Sequence, residues 1–489
     1  MKARKKVSRM AGVLMPVASL PSDDGVGSFG KEAYRLVDYL AKTGFKLWQV
    51  LPLNPLGFGN SPYQAFSSFA GDELYIDLDL LVEEGYLSSK KRKKVKNRGR
   101  INYEAAREHK LPYLREAFKE FEKQNKERKA FDEFCAQQWV YEYAVFITLK
   151  NNNGDRSWNK WPKKQRDWIL DREFDVLPFN EDIRFHIFLQ YTFLKQWRAL
   201  KKYANSKGIL MVGDIPFYVG LDSLDVWKHR ENFLLDKDGR PTFIAGVPPD
   251  HFSKTGQRWG NPIYNWKHLE ESDFEFWVER LRYNANLYDI LRFDHFRAFD
   301  TYWKVPASCK TAMKGEWVEA PGYALFDKVF EEMPNLWVIA EDLGNLRPEV
   351  LELRDAYGLP GMRIAEFTLS KPKQAKNQVI YTGTHDNDPV VGWYKSLKAK
   401  ERKEVDEILK KEGSKDKNIS YRMMHYVFNN EADYAIVPVM DILELGTSAR
   451  INLPSTVGSP NWEWQMKNFD ALEATSTNIK RMLRNAKRI

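Results

Sequence analysis

Short apolar runs that stop abruptly at charged residues recur along this chain. The clearest is Asp289–Arg297, DILRFDHFR, where Ile290 and Leu291 give way to Arg292, Asp294, His295 and Arg297. A run of that length fits a buried parallel strand, and charges at its carboxyl end have no packing reason to be there. Leu336–Gly344 (LWVIAEDLG) and Gln378–Asp388 (QVIYTGTHDND) repeat the design and end on Glu341 and Asp386. Further strand-like pieces are Val13–Val17, Leu47–Leu51, Leu210–Asp214, 361–367 and Ala449–Pro454. Helical stretches separate most of them, with Lys395–Asn429 strongly helical. Strand and helix alternating to a count of roughly eight predict an α/β protein, a (β/α)₈ barrel with its ligand site at the carboxyl ends of the strands.

Residues 1–489 read as one such barrel carrying large, mostly helical insertions. The first insertion, 54–205, opens with a loop rich in Gly, Pro, Ser and aromatics, the composition of a site loop. It continues with aromatic and Leu positions at helical spacing. Trp139, Trp158 and Trp161 there are read as core. The second insertion, 217–285, contains 245–262 (AGVPPDHFSKTGQRWGNP), read as a loop able to cover a cleft. Asp236–Gly239 (DKDG) hints at a calcium loop, but Arg240 stands where a fifth-position ligand belongs, which favours a tight turn. Gly25–Gly30 (GVGSFG) matches a dinucleotide fingerprint. Its first glycine lies too far past the strand, and the next strand ends without an acid for a ribose, so it reads as a structural turn.

Composition narrows the classes. Charged residues make up 29% of the 489 and aromatics 14%, with 16 Trp, as in a soluble globular protein with flat ring surfaces to spare. The net charge is +9, concentrated at Lys2–Arg9 and Lys90–Arg100. Neither cluster interleaves aromatics, so both read as solvated surface and no nucleic-acid partner is expected. Two distant cysteines, Cys135 and Cys309, exclude a disulfide framework and suit a reducing cytoplasm. Ala11–Leu20 imitates the apolar part of a leader, but it is short and broken by Pro16, so it reads as the first strand. No run approaches the 18 or so apolar residues of a membrane span.

For the chemistry, His251, His295 and His385 form no metal-binding spacing, and neither a G-x-S-x-G elbow nor a P-loop is present. What remains is three acids at strand ends with Arg, His and Asn beside them. Glycosidic cleavage needs this set: one carboxylate ionised to attack, and a second kept protonated to supply the leaving oxygen. Arg292 and Asp294 share a strand face, so the cation favours an ionised Asp294. Glu341 follows an apolar run whose burial would raise its pKa. Asp386, between His385 and Asn387, is placed to hydrogen-bond sugar hydroxyls.

The segments R-F-D-H-F-R, A-E-D-L-G and Y-T-G-T-H-D-N-D resemble the signatures of the 4-α-glucanotransferases, also called amylomaltases or disproportionating enzymes, relatives of the α-amylases. The likeness extends in order through G-V-L-M-P-V-A-S-L-P-S, G-N-S-P-Y-Q, V-G-D-I-P, the 245–262 segment and the closing N-L-P…N-W, and so spans nearly the whole chain. The resemblance implies Asp294 as nucleophile, Glu341 as general acid/base and Asp386 as transition-state stabiliser. It implies substrate contacts at Tyr63, Asp214, Trp259, Arg292, His295, His385 and Asn461. The implied partners are α-1,4-glucans such as maltooligosaccharides and amylose, with no cofactor or metal. The sequence departs from the family at Lys304, where Glu is usual, and at Ile451 and Ser455, around the cleft rather than at the acids. A glucan hydrolase with the same acids, a non-catalytic glycan-binding protein and an RNA-binding protein are the rival readings.

Overall fold

The apolar runs become strands because both of their faces are covered, the environment of a parallel sheet wrapped by helices. The computed structural model describes residues 9–249, 253–370, 376–414 and 416–489. Its strands in chain order are β1 (Met10–Leu14), β2 (Leu47–Gln49), β3 (Leu210–Ile215), β4 (Phe243–Val247), β5 (Gln257–Pro262) and β6 (Ile290–Phe293). Then follow β7 (Thr301–Pro306), β8 (Glu316–Glu319), β9 (Val338–Ala340), β10 (Gly361–Ile364), β11 (Gln378–Tyr381) and β12 (Tyr434–Pro438). Eight described strands form one parallel sheet in the order β10–β11–β12–β1–β2–β3–β6–β9. Its ends approach each other: the Ala340 N–H donates to the Pro360 carbonyl at 2.9 Å, and the Met362 N–H to Asp342 Oδ1 at 2.6 Å. The sheet is a nearly closed (β/α)₈-like barrel, as its alternating pattern predicts.

The last strand is a correction. Ala449–Pro454 is not in the sheet; β12 takes that place and pairs with β1 from Met10↔Tyr434 onward and with β11. Tyr434–Pro438 is buried along its whole length, as a parallel strand requires. The apolar–polar alternation of 449–454 has another cause, since Arg450 and Asn452 turn toward Asp386.

The first insertion is built on three long helices, Tyr103–Gln124, Gln138–Asn152 and Asn180–Ser206. Trp158 and Trp161 are buried, and Trp139 is half-buried with its ring 5.2 Å from Tyr283. The second insertion contributes β4 and β5, which join β7 and β8 from beyond β6 in a four-stranded antiparallel sheet, β5–β4–β7–β8. Residues 245–262 therefore begin and end within β4 and β5 as a hairpin, not as an irregular loop. Asp250, His251 and Phe252 lie outside the described residues. Asp236–Gly239 is a tight turn, with Asp236 Oδ1 accepting the Asp238 and Arg240 N–H groups at 2.9 Å.

The glycine motif serves close packing. A Cβ on Gly27 would lie 2.0 Å from the Val17 carbonyl oxygen, and one on Gly30 would lie 1.9 Å from the Asp77 carboxylate. Acids answer part of the Lys90–Arg100 cluster: Arg92 pairs with Asp24 at 2.8 Å and Lys94 with Asp23 at 2.8 Å. Lys2–Ser8 of the other basic cluster lie outside the described residues. Among the described residues no helix is long and apolar enough to cross a membrane.

Candidate active site

At the carboxyl end of β6, period-2 geometry puts Arg292 and Asp294 on one face. Arg292 Nη1 donates to Asp294 Oδ1 at 3.0 Å and to Asp214, at the end of β3, at 2.6 Å on Oδ1 and 2.8 Å on Oδ2. The Arg292 and Asp214 side chains are 4% and 0% exposed, whereas Asp294 is 29% exposed. Asp294 is thus the member of this group turned to the cleft. Burial works against the charge of Arg292, but Asp214 and then Asp294 more than offset it, and the guanidinium is held protonated.

Glu341 follows β9. Its Oε2 accepts the His295 backbone N–H at 2.8 Å and its Oε1 the Leu343 N–H at 3.1 Å. Desolvation pushes its carboxyl up to about 8, against the pull of Arg292 and with a push from the Asp294 charge. A carboxyl in that state is a proton donor at neutral pH. His295 has the left-handed φ of 53° that brings its N–H round to Glu341. Burial, partly offset by Asp294, lowers its imidazole to about 4, so the ring is neutral.

Asp386 lies on the turn after β11. Next to it, Tyr63 of the post-β2 loop donates its hydroxyl to Asp214 Oδ2 at 2.8 Å and stands 3.0 Å from His385 Nε2. A phenol has a single proton, so His385 Nε2 carries the hydrogen and donates to Tyr63. That Nε2 also lies 3.5 Å from Asp386 Oδ2. Arg292, Asp214, Tyr63, His385 and Asp386 form one continuous chain from the first acid to the third. The structure brings the three sequence-predicted acids to one cluster.

The β4–β5 hairpin closes one side. Trp259 packs edge-on against His295 with ring centroids 5.0 Å apart. Gln64 Nε2 donates to the Trp259 carbonyl at 3.2 Å and to Asn261 Oδ1 at 2.9 Å, tying the G-N-S-P-Y-Q loop to the W-G-N-P strand.

A family model described as 4-alpha-glucanotransferase matches residues 15–472 of this sequence. The chain belongs to the 4-α-glucanotransferase family. A 4-alpha-glucanotransferase of Thermus thermophilus is 42% identical over 485 residues, covering 94% of this chain and 95% of that one. One of Aquifex aeolicus is 41% identical, covering 94% and 96%. The solved amylomaltase from Streptococcus agalactiae in complex with acarbose superposes with a TM-score of 0.93 at 36% identity, covering 98% of this chain and 99% of that chain.

Within this member of the 4-α-glucanotransferase family, Asn461 is placed differently from the other sequence-predicted contacts. Its Oδ1 accepts the Leu453 N–H at 2.8 Å and its Nδ2 donates to Thr456 at 2.9 Å, so it braces its own loop. The neighbour Trp462 reaches the site instead, 5.8 Å from the Tyr63 ring and 6.0 Å from His385. Asp214, fully enclosed, is bonded to Arg292 and Tyr63. Lys304 is answered locally, by Glu316 at 2.7 Å on the adjoining strand. Sequence reasoning missed Trp462, Gln64, Arg450 and Asn452; an N-W pair and a polar alternation outside any strand were the signals available.

Proposed function

We propose that this protein transfers α-1,4-glucan segments from one chain to another by retaining double displacement. The observation that carries the reading is the split between two carboxyls: Glu341 is pushed up to about 8, while Asp294 faces the guanidinium of Arg292. A nucleophile and a proton donor are the two parts this chemistry requires. In the first step Asp294 attacks the anomeric carbon as the glycosidic bond breaks, and Glu341 gives its proton to the departing oxygen. The chain is then an ester on Asp294. In the second step Glu341 takes the proton of an incoming 4-hydroxyl, whose oxygen displaces Asp294. Asp386 and His385 bind sugar hydroxyls beside the reacting carbon, and neutral His295 with Trp259 lines the neighbouring subsite. Asp214 acts through Arg292 and Tyr63. The hairpin and the Tyr63 loop keep water out, which favours a sugar acceptor over hydrolysis. No cofactor takes part in this scheme.

Incubation with maltotriose tests the reading. Transfer yields glucose together with oligomers longer than the substrate. A hydrolase yields only shorter sugars, and a binding protein leaves maltotriose unchanged.

A further inference from the structure

Asp386 stands beyond the end of β11, on a turn, with its side chain 44% exposed. On its own turn that carboxylate meets His385 Nε2 at 3.5 Å, and the hydrogen bond that fixes it comes from 449–454. Asn452 Nδ2 donates to Asp386 Oδ1 at 2.6 Å, and the Asn452 N–H donates to the His385 carbonyl at 3.0 Å. Arg450 binds both sides of the same junction, giving Nη2 to the Asp386 carbonyl and Nε to the Asn452 carbonyl at 2.8 Å. Behind it the segment is anchored by the Trp462 N–H on the Ile451 carbonyl at 2.7 Å. One oxygen of Asp386 is therefore taken, and the other, Oδ2, is turned to His385 and the cleft.

We infer that Asn452 is a positioning residue for the third carboxylate of the glucan-transfer reaction. The inference rests on the functional reading above. The side-chain amide fixes the rotation of the Asp386 carboxylate, so that Oδ2 meets the sugar without first being reoriented. The charged and titratable groups around the pair are few. His385 and Arg450 adjoin it. Asp388, two residues on, is held by Thr447 at 2.8 Å. Glu366 lies behind Arg450: burial, Asp441 and Asp388 push its carboxyl up, and Arg450 pulls against them. Tyr63, Arg292 and Asp214 stand on the far side of His385.

Substitution of Asn452 by Asp separates positioning from mere packing. Two carboxylates at this spacing repel when both are ionised, so the pair holds one shared proton until the pH is raised. Protonated, the new side chain donates to Asp386 as the amide does; ionised, it repels Asp386 from its place. Asn452→Asp is expected to work only on the acid side, its maltotriose optimum displaced by about one pH unit or more below wild type. Asn452→Ala is expected to lower kcat roughly 10- to 100-fold, with KM within about twofold and the optimum unmoved. An Asn452→Asp profile that is merely scaled down at every pH, or an Asn452→Ala kcat within about twofold of wild type, overturns the inference. The alanine arm decides alone if the aspartate variant does not fold, as read by its thermal unfolding. The wild-type arm reads the functional proposal separately: an inactive wild type refutes that proposal and this one together, whereas an active wild type beside an Asn452→Ala that keeps its kcat or an Asn452→Asp that keeps its optimum refutes this one only.

Discussion

Glu341 accepts a hydrogen bond from the backbone N–H of His295, the residue that directly follows Asp294, at 2.8 Å. Two further bonds join the same strand ends, Glu341 N–H to the Phe293 carbonyl at 2.9 Å and Phe296 N–H to the Glu341 carbonyl at 3.0 Å. The two strand ends that carry Asp294 and Glu341 are thus joined by main-chain bonds as well as by the Glu341 carboxylate.

The pH profile follows from Glu341. A carboxyl held at about 8 keeps its proton through neutrality and loses it above, so the first step should fail on the alkaline side. Glu341→Gln removes that limb together with the acid and should lower kcat on maltotriose by at least about 100-fold. Initial rates from pH 5 to pH 10, approximately, check both.

The same residue burdens the fold. The folded chain holds the Glu341 proton more tightly than the unfolded one, whose carboxyl titrates near 4.5. Stability therefore falls as pH rises from about 4.5 to about 8, because the native state binds the extra proton over that window. Glu341→Gln should remove this slope. Its thermal unfolding midpoint should exceed that of wild type at about pH 8 and match it more closely near pH 5. Equal midpoints at both pH values would refute the assignment.

Among the described residues Arg292 is the cation paired with the buried Asp214, at 2.6 Å. Replacing it by Met leaves Asp214 charged and enclosed, at a cost of about 3–5 kcal/mol in unfolding free energy. Denaturant unfolding of Arg292→Met measures the loss, and the double variant with Asp214→Asn should recover a large part of it.

Gln64 joins the Tyr63 loop to the β4–β5 hairpin. Removing its amide in Gln64→Ala should loosen the wall that keeps water from the glycosyl ester. The expected outcome is a several-fold rise in the share of donor lost to hydrolysis, measured as new reducing ends per transfer event. An unchanged ratio would show that this tie does not exclude water.

Much of the barrel was legible because strands covered on both faces leave uninterrupted apolar runs. One acid at the end of such a run can be an ordinary ion pair, as Asp214 is with Arg292, but several in register point to chemistry. Asp294 and Glu341 are examples. β12 escaped because its five residues follow directly on a long helical region, while Ala449–Pro454 offered a more strand-like alternation. That alternation comes from Arg450 and Asn452 reaching to Asp386, a contact between distant parts of the chain that no local pattern encodes. The hairpin at 245–262 was hidden for a similar reason: β4 is held by β7, and its Gly- and Pro-rich stretch resembles a loop until that partner is known. Asn461 and Trp462 show the limit of motif transfer, since a pair can be recognised without showing which member braces the loop and which packs beside Tyr63 and His385.

The place of β1 between β12 and β2 affects how the protein is made. During synthesis the earliest strand has only one neighbour, and its other edge stays open until almost the whole polypeptide has left the ribosome. Until β12 arrives, that open edge is a template on which another unfinished chain can pair.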